Sequence, residues 1–216
     1  MNNEDKTKKK ILNFIKENLK WIIAIICICI LAIIIRNIFN DQIQNFDESI
    51  YSYISTHIST NTTIVMKIIT EMVSPIALCT ICIAMFVFVK NKKVGLLISF
   101  NLIISTLLNI VIKNIFERPR PDEYRLTEVG GFSFPSGHSM ASMAFYGFLI
   151  YLICKKIKNK YVKYSLTIIL SILIFAIGTS RVYLGVHYAS DVIGGFLFSI
   201  IYLIFYTHFT KKIIKT

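Results

Sequence analysis

The chain has 216 residues, of which 55% are apolar and 17% charged, and its mean hydropathy is +0.62. Soluble domains are about half apolar and about a quarter charged, so this composition excludes an ordinary soluble domain. A formal net charge of +12 suggests nucleic acid, but the distribution of that charge along the chain argues against it.

The first 18 residues are a basic segment that includes Lys8-Lys9-Lys10. Six apolar stretches follow, each near the roughly 20 residues of helix that a hydrocarbon core requires: Leu19–Ile38, Ile64–Val89, Val94–Phe116, His138–Cys154, Val162–Val182 and His187–His208. The first has a charged start but runs into Arg36-Asn37-Ile38-Phe39 without a small-residue cleavage pattern, so it reads as an anchor and not a signal peptide. Pro75 is expected to kink the second, and Lys67 and Glu71, one turn apart, to pair near its start. The fourth is short and extends toward Lys155. A basic tail, 211–216, closes the chain. The fold class expected is therefore all-α: a polytopic membrane bundle of six helices, in one domain over 19–210. Cys27, Cys29, Cys79, Cys82 and Cys154 all lie in apolar spans. The C-x-x-C of Cys79 and Cys82 has no companion pair or histidine cluster, so these residues read as small packing groups.

Charge sets the orientation. With both termini cytoplasmic, the inner segments 1–20, 90–93, 155–163 and 211–216 hold 17 of the 24 Lys and Arg. That asymmetry follows the positive-inside rule, and the basic clusters read as flanks against anionic lipid, not as nucleic-acid patches.

Three short stretches then fall at the outer ends of spans: Lys113 with Arg120-Pro121; Pro135-Ser136-Gly137-His138; and Ser180-Arg181 with His187 and Asp191. Buried charge in a membrane needs a functional reason. His187 and Asp191 are one turn apart, so the carboxylate can take the imidazole Nδ1 proton and leave Nε2 free as a nucleophile; a structural helix-start pair is the alternative. Ser136 and Gly137 before a helix make an anion cradle or an ordinary cap, and His138 beside them adds a second acid–base group. Pro119 and Pro121 force an extended turn that can bring the Arg120 guanidinium back as a phosphate clamp. Arg118 stands off this pattern and is expected to face solvent or headgroups. Asn101, Ser105, Asn109 and Lys113 recur every fourth residue as a polar stripe, expected to act as interhelical hydrogen-bond glue.

The pattern Lys-x6-Arg-Pro, Pro-Ser-Gly-His, Ser-Arg-x5-His-x3-Asp resembles the type 2 phosphatidic acid phosphatase superfamily of integral membrane lipid phosphatases, with all eleven signature positions present. The resemblance implies that His187 attacks phosphorus to give a phosphohistidine, oriented by Asp191, while His138 protonates the leaving oxygen and then activates water. It implies that Lys113, Arg120, Ser136, Gly137 and Arg181 bind the phosphate and that Ser180 supports them. No cofactor is expected, and no metal, because Asp191 is engaged with His187 and no carboxylate cluster remains at that face.

The expected partner is a phosphorylated lipid in the plasma membrane, met at the outer face. By analogy with compact bacterial members, undecaprenyl diphosphate stands first as substrate. A phosphatidic acid or phosphatidylglycerol phosphate phosphatase is the alternative, and a non-catalytic phospholipid-binding protein is a third reading. The small residues Gly137, Ala141, Ala144, Gly147, Gly194, Gly195 and Ser199 read as close-packing positions between helices.

Overall fold

The computed structural model describes residues 3–89, 91–122 and 124–215, without the side chains of residues 3–7, 9–11, 88 and 215. Of the basic clusters expected at the termini and in the 90–93 turn, Lys90 and the side chains of Lys6, Lys9, Lys10 and Lys215 thus lie outside what is described. Eight helices follow one another: α1 (Asn3–Phe39), α2 (Gln44–Ser55), α3 (Thr60–Glu71), α4 (Pro75–Phe88), α5 (Lys92–Phe116), α6 (Gly137–Lys156), α7 (Lys160–Tyr183) and α8 (Ala189–Lys215). Helices α1, α5, α6, α7 and α8 are each long and apolar enough to cross a membrane. Helices α3 and α4 together make a sixth span bent by 47°.

Polar residues at the starts explain where helices begin. Ser59, Ser74, Asn91, Ser136 and Asn159 each accept a backbone N–H of the following first turn, satisfying donors that a helix start leaves unpaired. The break between α3 and α4 falls where expected, because Pro75 cannot donate to the preceding turn and instead opens α4 behind the Ser74 cap. Helix α5 stops at Glu117, which adopts a left-handed φ of 45° before two prolines carry the chain away. Helix α6 does run to Lys156, resolving the short fourth span.

Two expectations need correction. Helix α2 lies between the first two spans and was not anticipated; it is amphipathic and packs on α7 and α8. Lys67 and Glu71 make no ion pair within 4.0 Å among the described residues; the charge of Glu71 acts on Arg181 instead.

Helix α6 is central, packed on α5, α7 and α8, with Ile98, Phe148 and Ile177 fully buried between them. Outward faces carry Ile25, Ile33, Ile172 and Phe175, each more than half exposed, which suits a lipid environment and not water. The polar stripe on α5 does bind neighbours: Asn101 Nδ2 donates to Ala144 O (2.6 Å) and Asn109 Nδ2 to Pro135 O (3.2 Å). All five cysteines are free thiols. The end of the bundle formed by the start of α1 and the ends of α6 and α8 is basic, with Lys20, Lys155, Lys156 and Lys211 around a depression of about 640 Å³. His208 sits there, accepting from Lys20 Nζ at 2.8 Å.

The small residues on α8 are close-packing positions. A Cβ on Gly194 would meet the Phe134 ring at 2.5 Å, and one on Gly195 would meet the Ser136 carbonyl at 2.8 Å. A Cβ on Gly147 would meet only the tip of Leu203, at 2.9 Å. Gly195→Ala is therefore expected to lower stability by about 1–3 kcal/mol, as overpacking against an immovable group does, and to displace the start of α6. Gly147→Ala should cost visibly less. Thermal unfolding of both variants in detergent checks this, and equal losses would contradict it.

Candidate active site

Opposite the basic end, the C-termini of α5 and α7 and the N-termini of α6 and α8 converge, joined by the 117–136 and 184–188 connections. They bring Lys113, Arg120, Ser136, Gly137, His138, Arg181, His187 and Asp191 to one end of the bundle. A cleft of about 690 Å³ reaches this point, lined by Ile38, Phe39, Asp47, Phe116, Arg118, Arg120 and His187 among others.

His187 lies in the turn before α8 and is 3% exposed. Its Nε2 is 3.0 Å from Arg120 Nη1. A guanidinium can only donate, so Nε2 must accept with its lone pair, and the ring proton belongs on Nδ1. That Nδ1 lies 3.4 Å from Asp191 Oδ2 and 3.3 Å from Ser133 Oγ. The Ser133 hydroxyl also donates to Asp191 Oδ2, and Tyr188 N donates to the same oxygen at 2.9 Å. The His187–Asp191 pair expected from the spacing is thus present, with Ser133 wedged beside it. Burial pushes His187 down to about 4, although its hydrogen bond to Asp191 opposes the shift.

The cations are held by carbonyls and hydroxyls. Lys113 Nζ donates to Phe132 O, and to Ser133 O at 3.1 Å, tying the loop before α6 to the end of α5. Arg120 donates from Nε to Gly131 O and from Nη1 to Val186 O, both at 2.8 Å; burial also holds its pKa below the usual arginine range. Arg181 is 3% exposed and donates from Nη1 to Thr70 Oγ1 at 2.8 Å. Its buried Nε–H has no acceptor among the described residues, a costly omission unless an anion is to be bound.

Ser136 caps α6 and is fully buried, its Oγ accepting from Ser139 N (3.4 Å) and Ser139 Oγ (3.0 Å). A Cβ on Gly137 would stand 3.0 Å from Asn109 Oδ1, so Asn109 would have to give way. His138, half-buried, makes no hydrogen bond to the described residues and feels the charges of Arg181, Arg120 and Lys113 as well as His187. Ser180 is turned away from this cluster: its hydroxyl donates to Ile177 O at 2.6 Å within α7.

Arg118 overturns the expectation that it faces solvent. Its side chain is 10% exposed, with Nη1 donating to Asp191 Oδ1 (2.7 Å) and Ser190 Oγ (2.8 Å) and Nη2 to Asp47 Oδ2 (2.9 Å). The guanidinium also stacks over Tyr188, 4.2 Å from the ring centre. Asp47, Ser133, Ser190 and Thr70 were not foreseen: they lie outside the spaced motifs or beside them. Among the described residues no three His, Cys, Asp or Glu side chains are placed to share a metal ion.

Comparison with known proteins gives the family and the fold. Residues 94–215 match the PAP2 superfamily model. Phosphatidylglycerophosphatase B of Bacillus subtilis strain 168 is 37% identical over 130 residues, which span 58% of this chain and 63% of that protein. The fold resembles the crystal structure of a transmembrane PAP2 type phosphatidylglycerolphosphate phosphatase from Bacillus subtilis, with a TM-score of 0.79 at 31% identity over 88% of this chain and 96% of that one. Aquifex aeolicus LpxE shares the fold, with a TM-score of 0.60 at 24% identity over 74% of this chain and 93% of that one. A multi-pass helical membrane protein with these motifs at one end of its bundle, the chain belongs to the PAP2 superfamily.

Proposed function

We propose that this chain is a membrane lipid phosphatase that hydrolyses the phosphomonoester of a glycerophospholipid, phosphatidylglycerol phosphate first, through a phosphohistidine on His187. The observation that carries this reading is the unprotonated Nε2 of His187 facing Arg120 at 3.0 Å. A nucleophile and a phosphate-binding cation thereby share one point.

Around that point, Lys113, Arg118, Arg120 and Arg181 stand against the carboxylates Asp47 and Asp191. The surplus of two positive charges matches a phosphomonoester dianion. The substrate phosphate takes the donors of Arg120, the free Nε–H of Arg181, Lys113 and the N-terminal turn of α6 at Ser136 and Gly137. His187 Nε2 attacks phosphorus as the bond to the glycerol oxygen breaks, and His138 gives that oxygen its proton. Asp191 holds Nδ1–H and offsets the charge that develops on the ring. Water then attacks the phosphohistidine, His138 takes its proton, and inorganic phosphate leaves. Ser180, bonded within its own helix, supports α7 and not the phosphate. All of this chemistry is positioning and electrostatics, and the chain's own groups can supply both.

The site is assigned to the outer face, because 17 of the 24 Lys and Arg lie in segments at the other end. The named relatives favour a glycerophospholipid over the prenyl diphosphate that the sequence put first, and so does the cleft. Beyond the cations its rim carries Asp41, Gln44, Glu48, Asp122 and the ring of Tyr51. The carboxylates and the amide among them can accept hydrogen bonds from a glycerol hydroxyl, which a prenyl diphosphate lacks. The apolar wall of Ile38, Phe39 and Phe116 lies along α1 and α5, where acyl chains can follow it out.

Purified protein in detergent is expected to release phosphate from phosphatidylglycerol phosphate faster than from undecaprenyl diphosphate. His187→Ala should lower turnover roughly a thousandfold or more with little change in thermal unfolding. Preference for the prenyl diphosphate would reverse the substrate assignment, and an active His187→Ala would overturn the mechanism.

The depressed pKa gives a second check. A histidine titrating near 4 is neutral at every pH well above that value and becomes protonated only as pH falls through it. In histidine-labelled NMR spectra, the resonance absent from His187→Ala should keep its neutral shift from about pH 8 down to about pH 5. A midpoint near the ordinary 6.5 would contradict the burial argument.

A further inference from the structure

One buried carboxylate has no part in the chemistry above. Asp47 is 3% exposed and lies on α2, outside the residues 94–215 that match the family model. It is nonetheless fully engaged. Oδ1 accepts from Ser190 N at 2.8 Å, and Oδ2 accepts from Ser190 Oγ at 2.7 Å and from Arg118 Nη2 at 2.9 Å. The other nitrogen of Arg118, Nη1, donates to Asp191 Oδ1 at 2.7 Å. Asp191 in turn faces His187 Nδ1 through Oδ2. Charges therefore alternate from Asp47 through Arg118 to Asp191, and the line ends on the imidazole of His187.

Planar guanidinium geometry makes this line possible, because its two terminal nitrogens point to two different acceptors at once. A lysine has a single donor atom and cannot span both carboxylates in the same way. Burying two carboxylates and an arginine carries a large desolvation penalty, yet a plain salt bridge between Arg118 and Asp191 would hold Asp191 in place without Asp47. What Asp47 adds is electrostatic. Alone, the whole positive charge of Arg118 would fall on Asp191 and oppose the positive charge that His187 acquires when its Nε2 bonds to phosphorus. Shared between two carboxylates, Arg118 fixes the position of Asp191 and leaves its charge for the imidazole. Outer partners of this kind orient and tune an acting group without touching the substrate.

We infer that Asp47 is a positioning residue for the phosphoryl-transfer step, acting through Arg118 on Asp191, and that α2 is part of the catalytic apparatus and not a passive surface helix. The same helix contributes Gln44, Glu48 and Tyr51 to the cleft, so the element that receives the headgroup also braces the nucleophile. This inference rests on the assignment of His187 as nucleophile.

The test uses the full chain in detergent and follows two quantities, the single-turnover rate of phosphate release from phosphatidylglycerol phosphate and the KM. Asp47→Asn should lower the single-turnover rate by about 10- to 100-fold, the range typical of lost outer partners, with KM changed by less than about threefold. Arg118→Ala should lower it at least as much, and adding Asp47→Asn to Arg118→Ala should lower it no further, because groups acting in one line are not additive. Arg118→Lys, which keeps the charge but cannot bridge, should reproduce most of the loss and decides the matter if Asp47→Asn does not fold. A helix anchor alone would lower the unfolding temperature and leave the rate per folded molecule intact, and that result would overturn the inference. His187→Ala runs alongside: if it is active, the phosphatase mechanism fails; if it is inactive while Asp47→Asn and Arg118→Lys turn over normally, only the role of Asp47 fails.

Discussion

The constraint that organises this molecule is a surplus of positive charge held at one end of an apolar bundle. Lys113, Arg118, Arg120 and Arg181 converge there, and among the described residues Asp47 and Asp191 are the buried carboxylates set against them. Like charges out of water repel one another strongly and tolerate burial only when something fixes them. Local structure around the site serves that end. The left-handed stop at Glu117 turns the chain after α5 so that Arg118 and Arg120 face the site. Lys113 pins the returning loop by its carbonyls, and that loop delivers Ser133 to Asp191 and Ser136 to the start of α6. Gly194 and Gly195 let α8 approach closely enough for Asp191 to reach this loop, with Ser136 N donating to Asp191 O at 3.0 Å.

Arg118 is the crossbar of this arrangement. It joins α2, the connection after α5 and the first turn of α8 through three charged or hydroxyl partners. Arg120, two residues on, points the other way and meets the nucleophilic nitrogen. The two arginines thus divide the labour under the proposed mechanism: one holds the protein's own carboxylates, and the other is the proposed clamp for the substrate's phosphate.

Much of this was legible in the sequence, for identifiable reasons. Helix ends are marked by short-range chemistry, so Pro75, Ser136-Gly137 and the prolines after Phe116 were legible directly. His187 and Asp191 meet as their spacing implied, with His187 in the turn just before α8. Charge asymmetry along the chain separated the two ends of the bundle. What escaped notice depends on tertiary placement. Asp47 sits in a stretch with Asp41 and Glu48 nearby, and nothing local distinguishes the one that is buried. Helix α2 is too short and too polar to register among spans. Ser133 acts across a loop, and Arg118 differs from Arg120 only in the direction its turn gives it. Ser180, adjacent to Arg181 in the motif, proved to be bonded within its own helix, which spacing cannot foretell. The expected Lys67–Glu71 pair is absent although the two residues are one turn apart on α3, so helical spacing permits a pair without enforcing it.

The central claim is that phosphate passes through a covalent bond to His187 Nε2. The direct measurement is to quench the protein with acid-free denaturant during turnover of a phosphatidylglycerol phosphate labelled in its terminal phosphate, then locate the label by peptide mass spectrometry. The account predicts an acid-labile, base-stable phosphoryl group on the peptide containing His187, accumulating when His138 is replaced by Ala and dephosphorylation slows. Turnover with no label on His187 in either protein, or label on another residue, would contradict it.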